Sequence, residues 1–283
     1  IPGLVLTLGM LTVPHSPRWL KSHGRDDEAR DVLERLRAGD PSADIDGEIR
    51  DIEEAAQKER GTTVRSLLRP ELRPMFAVGL LLAVAQQFVG VNTVIYYAPT
   101  ILSDTGMGNS AALAATVIVG ATNLVFTVVA VVLLDKVGRR ALLMTGTVGL
   151  LLALLLLGVY FTSSTLQQDY GWVALAGLVL FIASFAVGLG PVFWLMISEI
   201  FPVGARGKAM SVCTIANWGA NFLVAQTFLS LSEAITRQGV FFLYAALAVA
   251  SVFLFAQWVP ETKGRSLEQI QNDLVEDRAE ATS

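Results

Sequence analysis

Apolar blocks long enough to cross a bilayer constrain this sequence more than any other feature. A spanning helix needs about 20 mainly apolar residues, and six segments satisfy this, at 75–102, 111–134, 141–162, 172–198, 209–230 and 239–259. Charged residues make up only 16% of the 283 positions, against about 25% in soluble domains, and they lie between the blocks. The expected fold class is therefore an all-α membrane protein seated in a lipid bilayer. Residues 1–14 are also apolar but reach only about 21 Å as a helix, so the chain is expected to open inside a span. No basic leader and no initiator methionine precede it, and it reads as a fragment. A lone Cys213 excludes an intrachain disulfide. The net charge of −4 carries no nucleic-acid footprint.

Orientation follows from the basic residues, since loops rich in Lys and Arg stay in the cytoplasm. Twelve fall between Arg18 and Arg73, three at Lys136, Arg139 and Arg140, two at Arg206 and Lys208, and three at Lys263, Arg265 and Arg278. If six spans alternate, these twenty share one face and only Arg237 lies opposite. The segment 15–74 and the tail 260–283 are thus expected to be cytoplasmic. Within 15–74, Ala29, Val32, Leu33 and Leu36 repeat at helical spacing, as do Ile45, Ile49, Ile52 and Ala56, which predicts two short amphipathic helices parted by Gly39-Asp40-Pro41. A solvated linker is the alternative.

Polar groups are costly in hydrocarbon and usually face a cavity or another helix. The first span holds Gln86, Gln87, Gly90, Asn92, Tyr96, Tyr97 and Pro99; the second holds Asn123; the fourth runs Gly188-Leu189-Gly190-Pro191 into Trp194; the fifth carries Asn217, Trp218 and Asn221. Glycine and proline loosen the first span, so its amides can converge on one cavity, as in the interrupted helices of transporters. Interhelical glue is the competing reading, and for Asn123 the two are equally weighted. The set offers amides, phenols and indoles without a charge at midplane depth. It suits a neutral polyhydroxylated ligand, because amides donate and accept and an indole covers the apolar face of a sugar ring. No Ser/His/Asp group, metal-ligand cluster or phosphate-binding loop is present, so neither an enzyme nor a cofactor or metal is expected.

The motif series then completes a pattern: Pro14-His15-Ser16-Pro17-Arg18-Trp19-Leu20, Gln86-Gln87-Phe88-Val89-Gly90-Val91-Asn92 with Tyr96-Tyr97-Ala98-Pro99, Asp135-Lys136-Val137-Gly138-Arg139-Arg140, Glu199 with Arg206, and Pro260-Glu261-Thr262-Lys263-Gly264-Arg265. In this order it resembles the C-terminal half of the sugar porter family of the major facilitator superfamily, nearest to bacterial proton–sugar symporters and hexose facilitators. The resemblance implies a twelve-span protein whose N-terminal six-helix half is missing from this chain. On that basis 1–14 is the end of the sixth span, 15–74 the linker and 75–259 the second six-helix bundle. It implies alternating-access transport of a hexose or pentose, by proton symport, with facilitative uniport or a non-transporting sugar sensor as alternatives. It assigns Gln86, Gln87, Asn92, Asn123, Trp194, Asn217 and Trp218 to the sugar and Tyr96 and Tyr97 to an outer gate. Arg18, Asp135, Arg139, Arg140, Glu199, Arg206, Glu261 and Arg265 fall to an inner-face charge network. Two departures are Ala186, where hexose facilitators carry Glu, and His15, where the family usually has Glu. The histidine is either a pH-responsive group or a neutral replacement.

Overall fold

A computed structural model describes residues 2–38, 40, 44–60, 63–102, 108–267 and 269–270, and every regular element among them is helical. In chain order these are α1 (Pro2–Thr12), α2 (Pro17–Ser22), α3 (Asp26–Leu36), α4 (Ile45–Arg60), a 3-10 turn (Val64–Leu68), α5 (Arg73–Phe88), α6 (Val91–Leu102), α7 (Gly108–Val137), α8 (Arg139–Thr162), α9 (Ser164–Asp169), α10 (Gly171–Val187), α11 (Leu189–Glu199) and α12 (Val203–Trp258). They divide into two compact units, residues 1–63 with 203–207, and the remainder.

In the first unit, Ser16 starts α2 by accepting a bond from the Trp19 backbone N–H at 3.3 Å. Pro17 follows in the first turn, where a missing N–H costs nothing. Leu20, Ala29 and Val32 form a buried cluster. Leu33 joins the buried face, but Leu36, expected on the same stripe, is 68% exposed. It is the last residue of α3, so the stripe runs out one turn earlier than its spacing suggests. Gly39 and Pro41, and the side chain of Ala56, lie outside the described residues. Charges fix how the helices pair: Arg37 meets Glu48 at 2.9 Å, Arg30 meets Asp46, and Lys21 meets Asp26 at 2.9 Å and also Glu53. Exposed pairs contribute about 0–1 kcal/mol each, so they select register more than they add stability. His15 stacks on Trp19 with ring centroids 4.0 Å apart. His23 stacks on the same indole at 4.0 Å.

The second unit contains two interrupted helices. Between α5 and α6 the chain turns at Gly90 with φ +80°, and a Cβ there would lie 2.4 Å from the Tyr244 ring. No other residue fits both the conformation and the contact. Between α10 and α11 the ladder breaks at Gly188. A Cβ on Gly146 of α8 would sit 2.6 Å from the Gly188 Cα, so the two backbones touch directly. Such small-residue contacts let helices approach closely where no hydrophobic effect drives them together.

Among the described residues, five helical stretches are long and apolar enough to cross a membrane: 73–96, 116–137, 139–162, 171–199 and 203–258. The last is a single 56-residue element that holds the segment 209–230 and all but the final residue of 239–259. At 1.5 Å per residue it would extend about 84 Å, far beyond a hydrocarbon core of about 30 Å. It is interrupted at Thr236, whose φ of 65° and ψ of 164° are non-helical. That region of conformational space belongs almost entirely to glycine.

Beyond α12 the chain brings Glu261 to the start of α8. Its carboxylate accepts from the backbone N–H groups of Arg139 at 2.9 Å and Arg140 at 3.1 Å, and from that of Lys263 at 3.0 Å. These are donors that a helix start leaves without intrahelical partners, and the helix dipole favours an anion there. Gly138 makes room for it: φ is +100° and a Cβ would lie 2.6 Å from Glu261 Oε2. Burial pushes the Glu261 carboxyl up, but the N–H donors of Lys263, Arg139, Arg140 and Thr262 outweigh it and hold the group below its ordinary value.

Replacing Thr236 by glycine is expected to raise the melting temperature of the detergent-solubilised protein. It should recover on the order of 1 kcal/mol of the roughly 1–3 kcal/mol that such a conformation costs. A lower melting temperature would show the turn to be unstrained. For Glu261, a folded-state pKa below the unfolded value means that its contribution is complete above the unfolded pKa and disappears as pH falls through the lowered one. Glu261→Gln is therefore expected to be less stable than the parent at neutral pH and to converge with it below roughly pH 4. A gap in melting temperature that is constant from pH 7 to pH 3 would contradict this.

Candidate functional site

The last turn of α5 ends at the Gly90 break, and that turn carries Gln86 and Gln87. Asn92 follows in the first turn of α6, and Asn217 projects from α12. The structure brings these four amides into one hydrogen-bonded network. Gln86 Nε2 donates to the carbonyls of Leu189 at 2.8 Å and Gly190 at 3.3 Å, tying α5 to the restart of the helix after Gly188. Gln87 Nε2 donates to Gln86 Oε1 at 3.2 Å and to Asn217 Oδ1 at 3.1 Å. Asn217 Nδ2 donates to the Ala83 carbonyl at 2.9 Å and to Gln86 Oε1 at 2.7 Å. Asn92 Nδ2 donates to Gln87 Oε1 at 2.8 Å.

Counting donors and acceptors shows which groups remain for a ligand. Among the described residues, Gln86 uses both N–H bonds and accepts twice, and it is only 2% exposed. Gln87 and Asn217 likewise use both N–H bonds, each keeping one oxygen lone pair. Asn92, half-buried, keeps an N–H and its amide oxygen. The network therefore grades from a saturated Gln86, through Gln87 and Asn217 with one oxygen lone pair each, to an outer edge at Asn92. No charged side chain takes part in these bonds.

Trp194 sits one turn beyond the Gly190 carbonyl in α11, tilted against Phe193 and 42% exposed. An indole that is large, apolar and half-uncovered in mid-helix has a face to offer. Trp218, Tyr96 and Asn123 are exposed, and none of them enters the amide network. The side chain of Tyr97 lies outside the described residues.

Of the charged set, Arg139 is the hub. Its Nη2 donates to Glu199 Oε1 at 3.0 Å, Nη1 donates to the Leu134 carbonyl at 3.0 Å, and Asp135 lies 3.6 Å away. Glu199 is held from the other side by the Thr262 hydroxyl at 2.5 Å. Arg140 bonds the Ala256 carbonyl, and Lys263 reaches the Lys136 carbonyl at 2.7 Å. These contacts join the ends of α7, α8 and α11 to the segment after α12. Arg265 is exposed in that segment. Arg18 and Arg206 belong to the first unit, where Arg18 is exposed and Arg206 half-buried.

Sequence reasoning missed Thr262, Gly138 and the carbonyls of Ala83, Leu189 and Gly190. Thr262 and Gly138 stand inside motifs already singled out, so closer attention to the small residues would have found them. A main-chain acceptor leaves no trace in residue identity.

The profile of the family described as "Sugar (and other) transporter" matches residues 1–274. YwtG of Bacillus subtilis, named for metabolite transport, is 41% identical over 97% of this chain and 59% of its own length. The D-xylose transporter of Levilactobacillus brevis is 39% identical over 97% of this chain and 60% of its own. Among solved structures, the proton:xylose symporter XylE of E. coli, bound to 6-bromo-6-deoxy-D-glucose, superposes with a TM-score of 0.76 at 33% identity. The match covers 96% of this chain and 57% of that one. The chain thus spans about three fifths of the length of these relatives. A whole-chain family match, an all-helical fold shared with a major facilitator and long apolar helices agree: this is a multi-pass membrane protein and belongs to the sugar porter family of the major facilitator superfamily.

Proposed function

We propose that this protein carries a neutral monosaccharide across the membrane by alternating access, coupled to protons. The observation that carries the reading is the amide network: it is neutral, it is fixed to two helix breaks, and it leaves free amide functions on Asn92, while Trp194, one turn beyond the Gly190 carbonyl that Gln86 bonds, keeps an uncovered indole. A sugar ring presents hydroxyls at its rim and C–H bonds on its face, which match an amide and an indole respectively. A charged substrate would need a counter-charge, which this network does not contain. Relatives whose names specify D-xylose transport and proton:xylose symport support a pentose or hexose and proton coupling.

Here Gln87 and Asn92 contact sugar hydroxyls and Trp194 lies under the ring, while Gln86 and Asn217 hold Gln87 in place. Asn123 and Trp218 complete the wall of the cavity, and Tyr96 and Tyr97 stand at its outer mouth. The second unit crosses the bilayer six times, with α12 folding back near Thr236 into two crossings. The linker and the tail face the cytoplasm, where Lys and Arg concentrate. There the Arg139–Glu199 pair and the Glu261 cap close the inner side and release on inward opening, while Arg18, Arg140, Arg206 and Arg265 add to the same face. The partner of this bundle is a second six-helix half.

Uptake of labelled xylose and glucose by the full-length protein in proteoliposomes tests the reading. Asn92→Ala and Trp194→Ala are each expected to raise KM on the order of tenfold, the loss of one hydrogen-bonded or stacked contact. Normal KM in both variants would dismiss the site. An inward proton gradient is expected to stimulate accumulation; equal uptake with and without it would establish a uniporter.

A further inference from the structure

The break at Gly90 is covered by a residue that no sugar contact accounts for. Tyr244, from α12, is 3% exposed and lays its ring against Gly90 so closely that a Cβ there would fall 2.4 Å from it. Three positions on, Thr93 is 1% exposed. Among the described residues neither Tyr244 OH nor Thr93 Oγ1 has a hydrogen-bond partner. A buried hydroxyl without a partner is costly, so Tyr244 is kept at this break by its ring and not by its hydroxyl. The ring is placed where its position has consequences. Asn92 is the neighbour of Thr93 on the first turn of α6, about 100° round the helix, and its amide is the group bonded to Gln87 at 2.8 Å.

The first turn of α6 is thus gripped from two directions, by Gln87 through Asn92 and by Tyr244 through Gly90. Because the chain reverses to φ +80° at Gly90, the α5 ladder does not set the rotation of α6 about its own axis. Packing at this turn has to set it. We propose that Tyr244 is a positioning residue for the carbohydrate site, using its ring on Gly90 to fix the rotation of α6 and so aim the Asn92 amide. This rests on the sugar-binding reading above. Tyr244 itself touches no substrate.

The test measures sugar KM and maximal rate for the full-length protein in proteoliposomes. The variants are Tyr244→Phe, Tyr244→Leu, and Tyr244→Leu in an Asn92→Ala background. Tyr244→Leu, which removes the ring from Gly90, is expected to raise KM about 3- to 10-fold with little change in maximal rate per folded molecule. Tyr244→Phe keeps the ring and loses only an unpartnered hydroxyl, so it is expected to stay within about twofold of the parent. In the Asn92→Ala background, Tyr244→Leu is expected to add nothing, since the group it aims is gone. Three results would overturn the proposal: unchanged KM in Tyr244→Leu, a change confined to maximal rate or folded yield, or effects that multiply with Asn92→Ala. A parent protein that neither binds nor moves sugar would instead refute the functional reading itself.

Discussion

The interaction on which the rest of this bundle depends is the mutual satisfaction of Gln86, Gln87 and Asn217. A polar group in a low-dielectric interior is expensive unless it is hydrogen-bonded, and here three amides meet that requirement with one another and with the carbonyls of Ala83, Leu189 and Gly190. The consequence is geometric as well as energetic. α5, the restart of α11 and the first half of α12 are held at one point by bonds that tolerate only small displacements. The carbonyls at a helix interruption, which would otherwise face hydrocarbon, acquire a partner.

The helix breaks are the complement of that network. Gly90 and Gly188 each interrupt an otherwise continuous ladder, and each is pressed against a neighbour with no room for a side chain, the Tyr244 ring in one case and Gly146 in the other. A broken helix in a membrane is tolerated when neighbouring groups satisfy or cover it. Gly138 follows the same logic at the helix end, admitting the Glu261 carboxylate to the first N–H groups of α8. Three motifs that look unrelated along the chain, centred on Gln86, Gly138 and Glu261, thus serve one architecture: backbone irregularities, each closed by a specific partner from a distant segment. Glu199, held between Arg139 and Thr262, closes the set.

His15 illustrates how a departure from an expected pattern is absorbed. The imidazole stacks on Trp19, which is also stacked by His23, while Arg25 lies 5.9 Å from the same indole. The described contact of His15 is aromatic, and the ion pairs between α3 and α4 are made by other residues.

Much of this architecture is legible in the residues alone. The apolar blocks, the charges gathered between them and the Gly188–Pro191 run follow from residue identity, because the length of an apolar segment and the absence of a β-carbon or an N–H act locally. The four amides can be nominated for the same reason: a polar side chain inside an apolar block needs a partner. Their division of labour cannot. That Gln86 is saturated and Asn92 is not, that Leu36 emerges from the stripe it continues, that Arg139 rather than a neighbouring arginine takes Glu199, and that Tyr244 closes on Gly90 are all decided by which atoms meet across a hundred residues of sequence. Sequence by itself determined which groups must be satisfied; only the tertiary structure decided with whom, because hydrogen bonds and close packing depend on distances of a few tenths of an ångström that composition and spacing do not encode.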